Sequence, residues 1–383
     1  MINSGREWDW MDNKNKYMKI MFWVGYANPA WDKGDWMSRG MGGSEYCVIK
    51  LADYLDNEGW DVTISGDVKT SNWHGVKYVH HSDLLKNRGP QGIDQAHNPQ
   101  VYEHYDVVIS INYLHFFKHL EEAKIEYDKA YFWMHNEYFY KWHRGNELHE
   151  WEQYLTHPKL KKIIGVSQYH IDEHIKPLFE TLGYTPQQIN TYIHSIDNAI
   201  DLNDYKNQNR VDKIKNRIIW TSSPDRGLKL ILDNWNDWKV KVPDLTLEIC
   251  CPPYAVDWFK EDIANLDGVN WQGNRCPNDL KQEILEAEYW IYASNYTETY
   301  CISALEMMMG NVKIITNGTG NLKNLVNDKR GTIVEINADE IIETIVDDNN
   351  NPGKLTSKLA HAYAFARNQN WDVRVKEWLN IIA

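Results

Sequence analysis

The sequence predicts an α/β protein built from two doubly wound domains facing a cleft. Three observations point there. Short apolar runs recur along the chain, stretches of helical periodicity separate them, and one polar stretch near the middle interrupts the alternation. Apolar runs of this kind are strands buried on both faces, the mark of a parallel sheet with helical crossovers.

The first predicted strand is Lys19 to Val24, followed by a glycine-rich loop from Gly40 to Gly43. A helix is predicted over Tyr46 to Asn57, where Val48, Leu51, Ala52 and Leu55 share one face. Further strands are expected at Asp61–Ser65, Val107–Ser110, Ala130–Met134 and Ile163–Val166. From Ile193 to Asn209 the pattern loosens into polar residues and reads as a linker. A second set then begins with strand Arg217–Trp220, helix Leu228–Trp238 and strand Leu245–Ile249. It continues with helix Asp279–Ala287, strand Tyr289–Tyr292, helix Tyr300–Met309, strand Val312–Ile315 and an amphipathic helix Trp371–Ile382. Ligands of such folds bind at the carboxyl ends of the strands.

Composition bounds the function. The 383 residues carry 41 Lys and Arg against 54 Asp and Glu, a formal charge of −13. That balance argues against wrapping nucleic acid, which needs a surplus of cations. No run of about 18 apolar residues suggests a transmembrane segment. The polar N-terminus lacks a signal-peptide stretch. Five cysteines form no C-x-x-C motif, which fits reduced thiols and a cytoplasmic location. The aromatic content is unusual, with 18 Trp against 8 Phe.

Several motifs are missing. There is no P-loop, and Gly40-Met41-Gly42-Gly43 lacks the third glycine of the dinucleotide fingerprint. No D-x-D occurs, which removes the commonest acidic pair for holding a metal on a sugar diphosphate, and G-x-S-x-G and H-E-x-x-H are absent too.

Three segments could carry chemistry. Gly42-Gly43-Ser44-Glu45 lies between a strand and a helix, where glycines allow close approach and free N–H groups attract an anion. Its rival reading is a plain turn with Ser44 as N-cap. Thr221-Ser222-Ser223-Pro224-Asp225-Arg226-Gly227-Leu228-Lys229 also joins a strand to a helix. A guanidinium at Arg226 suits bidentate phosphate recognition, with Lys229 nearby, although a lone Arg on a turn is often only solvated. The third segment places Glu298 before a helix and Glu306 eight residues on. Eight helical residues span about 12 Å, comparable to a nucleotide sugar from hexose to ribose. Between them, the N–H groups of Thr299, Tyr300, Cys301 and Ile302 would face a diphosphate at the helix start.

The pairs His170/His174 and His115/His119 have i, i+4 spacing, but without a third ligand at a recognisable spacing neither is expected to hold zinc. His135 ends a buried strand where a cleft should lie; a satisfied core histidine is the rival reading. The vicinal Cys250-Cys251 reads as packing at a strand end.

Taken in order, these segments resemble the retaining two-domain (GT-B) glycosyltransferases of family 4, over nearly the whole chain. Gly42-Gly43-Ser44-Glu45 is similar to the family's N-terminal glycine loop, and Trp133-Met134-His135-Asn136 to its strand ending in His. Ile164-Gly165-Val166-Ser167 is similar to the strand entering the last N-domain helix, and Asp197-Asn198-Ala199-Ile200-Asp201 to the family's interdomain Asn-Gly-x-Asp segment. Ser223 to Gly227 resembles the phosphate loop, Glu298 to Glu306 the E-x(7)-E signature, and Trp371 to Ile382 the terminal helix that crosses back.

The resemblance implies a fold of two Rossmann-like domains: residues 1–200 on the acceptor side, 201–368 on the nucleotide-sugar side, and 369–383 returning to the first. It implies that Glu298 contacts the transferred sugar, Glu306 the ribose, Arg226 the diphosphate and His135 the sugar pocket. Gly42 and Gly43 would lie against the donor, and Gln272 to Arg275 near the base. One departure is Thr221, beside Ser222, where the family typically carries a second Arg. Lys229, Arg275 or hydroxyls would then supply the missing interaction. Another is Ala199 in place of a usual glycine.

The expected activity is retaining, metal-independent transfer of a hexose from a nucleotide-diphosphate sugar, GDP-mannose or a UDP-hexose among the candidates. A glycan or glycoprotein acceptor is favoured over a lipid, because no basic N-domain patch is evident. No cofactor is expected. A nucleotide-sugar epimerase and a non-catalytic binder are the alternatives. Trp31, Trp36, Trp73, Tyr138, Tyr140 and Trp142 are candidate aromatics for stacking on sugars, whereas Trp220, Trp235 and Trp290 read as packing.

Overall fold

The computed structural model describes residues 18–27, 29–86, 103–137, 151–206, 211–251 and 263–383. The chain forms two compact units. The first draws on Met1–Asp35, Met41–Asp197 and Val375–Ala383, the second on Trp36–Gly40 and Asn198–Arg374.

In the first unit the strands are β1 (Lys19–Trp23), β2 (Asp61–Gly66), β3 (Ser71–Trp73), β4 (Val76–His80), β5 (His104–Ile111), β6 (Glu126–Met134), β7 (Leu160–Gly165) and β8 (Ile193–Ser195). They form one sheet in the order β3-β4-β2-β1-β5-β6-β7-β8. Every neighbouring pair is parallel except β3 and β4. The apolar runs explain why: Ile20, Met21 and Phe22 are all fully buried, so β1 has no solvent face.

Side chains alternate across β6 as its period of two requires. Ala130, Phe132 and Met134 join the core beneath Val108 and Ile163. Tyr131 and Trp133 face the end of the Trp371–Ile382 helix. There Tyr131 donates to the Ile381 carbonyl at 2.7 Å, and the Trp133 and Trp378 rings meet edge-on at 4.8 Å.

The second unit contains β9 (Arg217–Trp220), β10 (Thr246–Ile249), β11 (Val269–Trp271), β12 (Tyr289–Tyr292), β13 (Lys313–Thr316) and β14 (Thr332–Ile333). Their order is β11-β10-β9-β12-β13-β14, all parallel. The chain runs outward from β9 on one side, then returns to lay β12 on the other. The strand order therefore reverses between β9 and β12, where such sheets open a crevice at their carboxyl ends.

Several expectations need correction. Ile193 to Ser195, read as the start of a linker, pairs with β7 as a sheet strand. The predicted helix Leu228–Trp238 is two helices, Leu228–Asp233 and Trp235–Lys241. Asn234 interrupts it, its side chain donating to the Leu230 carbonyl at 2.8 Å; a short amide competes with the backbone in this way. The predicted helix over Tyr300–Met309 begins only at Ile302.

Candidate functional site

The candidate site of the second unit lies where its strand order reverses. Arg226 follows β9, and Glu298 follows β12, its neighbour in the sheet. Parallel pairing sends both connecting loops out at the same edge, which is how residues 72 positions apart meet.

Glu298 is 7% exposed, so its charge needs partners. Its Oε1 accepts from Arg226 Nη1 at 3.1 Å and from the Tyr292 hydroxyl at 2.5 Å. The Arg226 guanidinium also lies 4.1 Å above the Tyr296 ring. Burial alone would weaken that cation. The Glu298 carboxylate, with the phenols of Tyr296 and Tyr292, more than offsets this and raises the Arg226 pKa. Burial, then the Glu298 charge, raises the Tyr292 pKa, so its hydroxyl stays a donor. The side chain of Arg226 remains 33% exposed, leaving donors for an anion.

The loop after β13 fixes the Glu298 backbone. Asn321 N–H donates to the Glu298 carbonyl at 2.8 Å, and the Asn321 side chain donates to the Tyr300 carbonyl at 3.1 Å. Gly320 approaches so closely that a Cβ there would lie 2.5 Å from the Glu298 nitrogen. Gly227, which ends the Arg226 turn at φ +115°, is constrained likewise: a Cβ would lie 2.8 Å from the Ala293 carbonyl oxygen.

Glu306 lies in the Ile302–Met309 helix, where its backbone carbonyl accepts from the Gly310 N–H at 2.8 Å. Burial, then the negative charge of Asp204, pushes its carboxyl up to about 7. Cys301 caps this helix in a left-handed conformation, φ 81°. Thr299 and Tyr300 therefore precede the helix, and the uninterrupted helix start expected over Thr299 to Ile302 is not formed.

Lys229 is exposed and bonds Asp233 at 2.7 Å, while Arg275 bonds Glu283 at 2.8 Å. What the structure places beside β9 is a hydroxyl: Thr221 Oγ1 is buried without a hydrogen-bond partner among the described residues. Ser222 is buried next to it, its carbonyl accepting from Trp220 Nε1 at 2.6 Å. Gln272, expected near a base, donates to the buried Glu248 at 2.7 Å.

In the first unit, Gly42 rather than Ser44 is the N-cap of helix Gly43–Asn57, with no side-chain cap. His135 is buried, and its backbone N–H donates to Asn112 Oδ1 at 2.7 Å. Burial, with His170 nearby, lowers its pKa to about 3, so the ring is neutral. His170 spends both ring nitrogens on backbone, Nε2 on the Asn136 carbonyl at 2.9 Å and Nδ1 on Val166 N–H at 3.3 Å. The His170/His174 pair is thus no metal site. Trp31 is 2% exposed and packs edge-on to Tyr78, which removes it from the sugar-stacking set. Trp73 is partly buried and donates to Asp32 at 3.1 Å. Tyr138, Tyr140 and Trp142 lie outside the described residues.

Sequence reasoning missed Tyr292, Tyr296, Gly320 and Asn321. Only the N-G-T-G-N run at Asn317 to Asn321 signalled a tight turn.

No protein-family profile matches the chain, and no curated protein sequence does. Solved structures match over nearly its whole length. The chain is similar to sucrose-phosphate synthase from Thermosynechococcus elongatus, at 14% identity and a TM-score of 0.67, covering 95% of this chain and 98% of that one. It is similar to Anabaena HepE in complex with UDP-glucose, at 14% identity and a TM-score of 0.65, with the same coverage. The pneumococcal O-GlcNAc transferase GtfA, in complex with UDP and GlcNAc, matches at 12% identity and a TM-score of 0.62, again over 95% and 98%. The fold is that of the GT-B glycosyltransferases, two parallel-sheet α/β units. Among the described residues, no helix is long and apolar enough to cross a membrane.

Proposed function

We propose that the protein is a retaining glycosyltransferase that moves a hexose from a nucleoside-diphosphate sugar to a glycan or glycoprotein. UDP-hexoses and GDP-mannose are the donor candidates. The observation that carries this reading is the Arg226–Glu298 pair at the reversal of strand order. The outward donors of Arg226 take the diphosphate, and the remaining lone pairs of Glu298 take sugar hydroxyls. Thr221 Oγ1 supplies a donor where a second cation is common, and Glu306 accepts from the ribose. The likeness to HepE, solved with UDP-glucose, supports a nucleotide-sugar donor.

The reaction then runs without metal on the diphosphate. The sugar C1–O bond to the phosphate breaks as the acceptor oxygen attacks C1 from the same face. The acceptor proton passes to the leaving phosphate oxygen, whose charge Arg226 stabilises. His135, held neutral by burial, can serve as a hydrogen-bond partner and not as a cation.

Nuclear magnetic resonance of a nucleotide-sugar panel with glycan acceptors tests this. The expected result is nucleotide release with an axial-to-axial or equatorial-to-equatorial product, only when acceptor is present. Donor interconversion without acceptor would instead indicate an epimerase. The absent second cation at Thr221 supports one other reading, a nucleotide-sugar binder without transfer. Tight donor binding with no release under any acceptor would favour it.

A further inference from the structure

We infer that Asp67, His80 and His81 in the first unit form a site for a zinc-type divalent cation, unrelated to the donor site of the second unit. The residues come together because β2 and β4 are parallel neighbours. Asp67 follows the end of β2, His80 closes β4, and His81 opens the next helix, His81–Lys86. One ligand atom from each lies within 4.8 Å of the other two.

The geometry suits a tetrahedral ion. Zinc bonds of about 2.0–2.2 Å place neighbouring ligand atoms about 3.3 Å apart. Asp67 Oδ1 lies 3.7 Å from His80 Nε2 and 2.8 Å from His81 Nδ1, bracketing that separation. The His81 nitrogen is buried, yet it is not aligned with the Asp67 oxygen for a hydrogen bond. A buried, unmet ring nitrogen beside a carboxylate is what a cation between them would satisfy.

The surroundings orient the ligands. Asp67 Oδ2 accepts from Ala27 N–H at 3.0 Å, which turns Oδ1 toward the histidines. His80 Nδ1 is 2.8 Å from Ser82 Oγ and accepts from the Ser82 N–H at 3.2 Å, which holds the direction of the ring. The His80 and His81 rings lie 4.4 Å apart, tilted by 34°, and Tyr26 meets His81 edge-on at 5.9 Å. All three residues are partly exposed, so solvent reaches the cluster. A second cluster among the described residues, His104, Asp106 and Asp128, is less suited to zinc, because it offers one imidazole against two carboxylates. With two imidazoles and one carboxylate, the ligand set favours zinc over magnesium or calcium.

Chelator-stripped full-length protein titrated with zinc chloride by calorimetry tests the site, with cobalt chloride followed by absorption. The expected result is one zinc per chain with a Kd below about 1 µM and a raised Tm. Cobalt should show four-coordinate bands without a thiolate charge-transfer band. Asp67→Asn and His81→Gln, checked for folding by circular dichroism, should each weaken zinc by at least about tenfold. Failure of the wild-type protein to bind zinc at about 100 µM, a thiolate band, or undiminished binding in folded variants would overturn the inference. Wild-type binding and spectra decide even if a variant does not fold.

Discussion

Arg226 Nη1 and Glu298 Oε1 lie 3.1 Å apart, although 72 residues separate them in the chain. Each makes the other's burial tolerable, and together they put a cation and a carboxylate at one edge of the sheet. In the proposed enzyme that adjacency lets one site hold a diphosphate and a sugar hydroxyl at once.

Tyr292→Phe removes one of the two donors to the Glu298 carboxylate while keeping its packing between Trp220 and Trp290. Loss of a buried bond to a charged group costs about 1–3 kcal/mol. Turnover should fall by about tenfold or more, and thermal unfolding should report the lost stability. Unchanged turnover would show that Tyr292 does not orient Glu298.

Gly320→Ala places a Cβ at 2.5 Å from the Glu298 nitrogen, on a backbone with φ +69°. Left-handed strain alone costs about 1–3 kcal/mol, and here the Glu298 backbone must also move. Gly353→Ala provides the contrast, at φ +106° with no atom within 4 Å of the new Cβ. Both variants should lose Tm, and only Gly320→Ala should lose activity out of proportion.

Glu306 carries the pH dependence. Its carboxyl is pushed up to about 7 by burial and by Asp204, so the native state holds this proton more tightly than the unfolded chain. Its contribution to stability therefore falls as pH rises from the ordinary carboxylate range through about 7. Ribose hydroxyls favour the ionised form. Nucleotide affinity should thus rise between about pH 6 and pH 8, with proton release on binding, and Glu306→Gln should flatten the profile. Calorimetry in buffers of different ionisation enthalpy reads both.

Much of the fold was legible because parallel strands buried on both faces are apolar throughout. The predicted strands Arg217–Trp220 and Tyr289–Tyr292 coincide with β9 and β12. Short edge strands escaped notice: β3 and β11 are three residues each, too brief for periodicity to mark. The Cys301 left-handed cap was equally hidden, since nothing local distinguishes it from a helical residue. Arg226, Glu298 and Glu306 were legible as residue types at suggestive spacings. The pairing of the first two was not, because it depends on β12 lying beside β9. Tyr292 and Gly320 owe their importance to that same topology.

The most direct test of the donor-site claim is calorimetric titration of UDP and GDP, with their sugars, into wild-type protein and Arg226→Ala, with and without chelator. One nucleotide should bind the wild type equally well with or without chelator. Its affinity for the variant should be lower by at least about tenfold, from loss of a charge-assisted contact. Equal affinity of wild type and Arg226→Ala, or binding that requires added divalent metal, would contradict it.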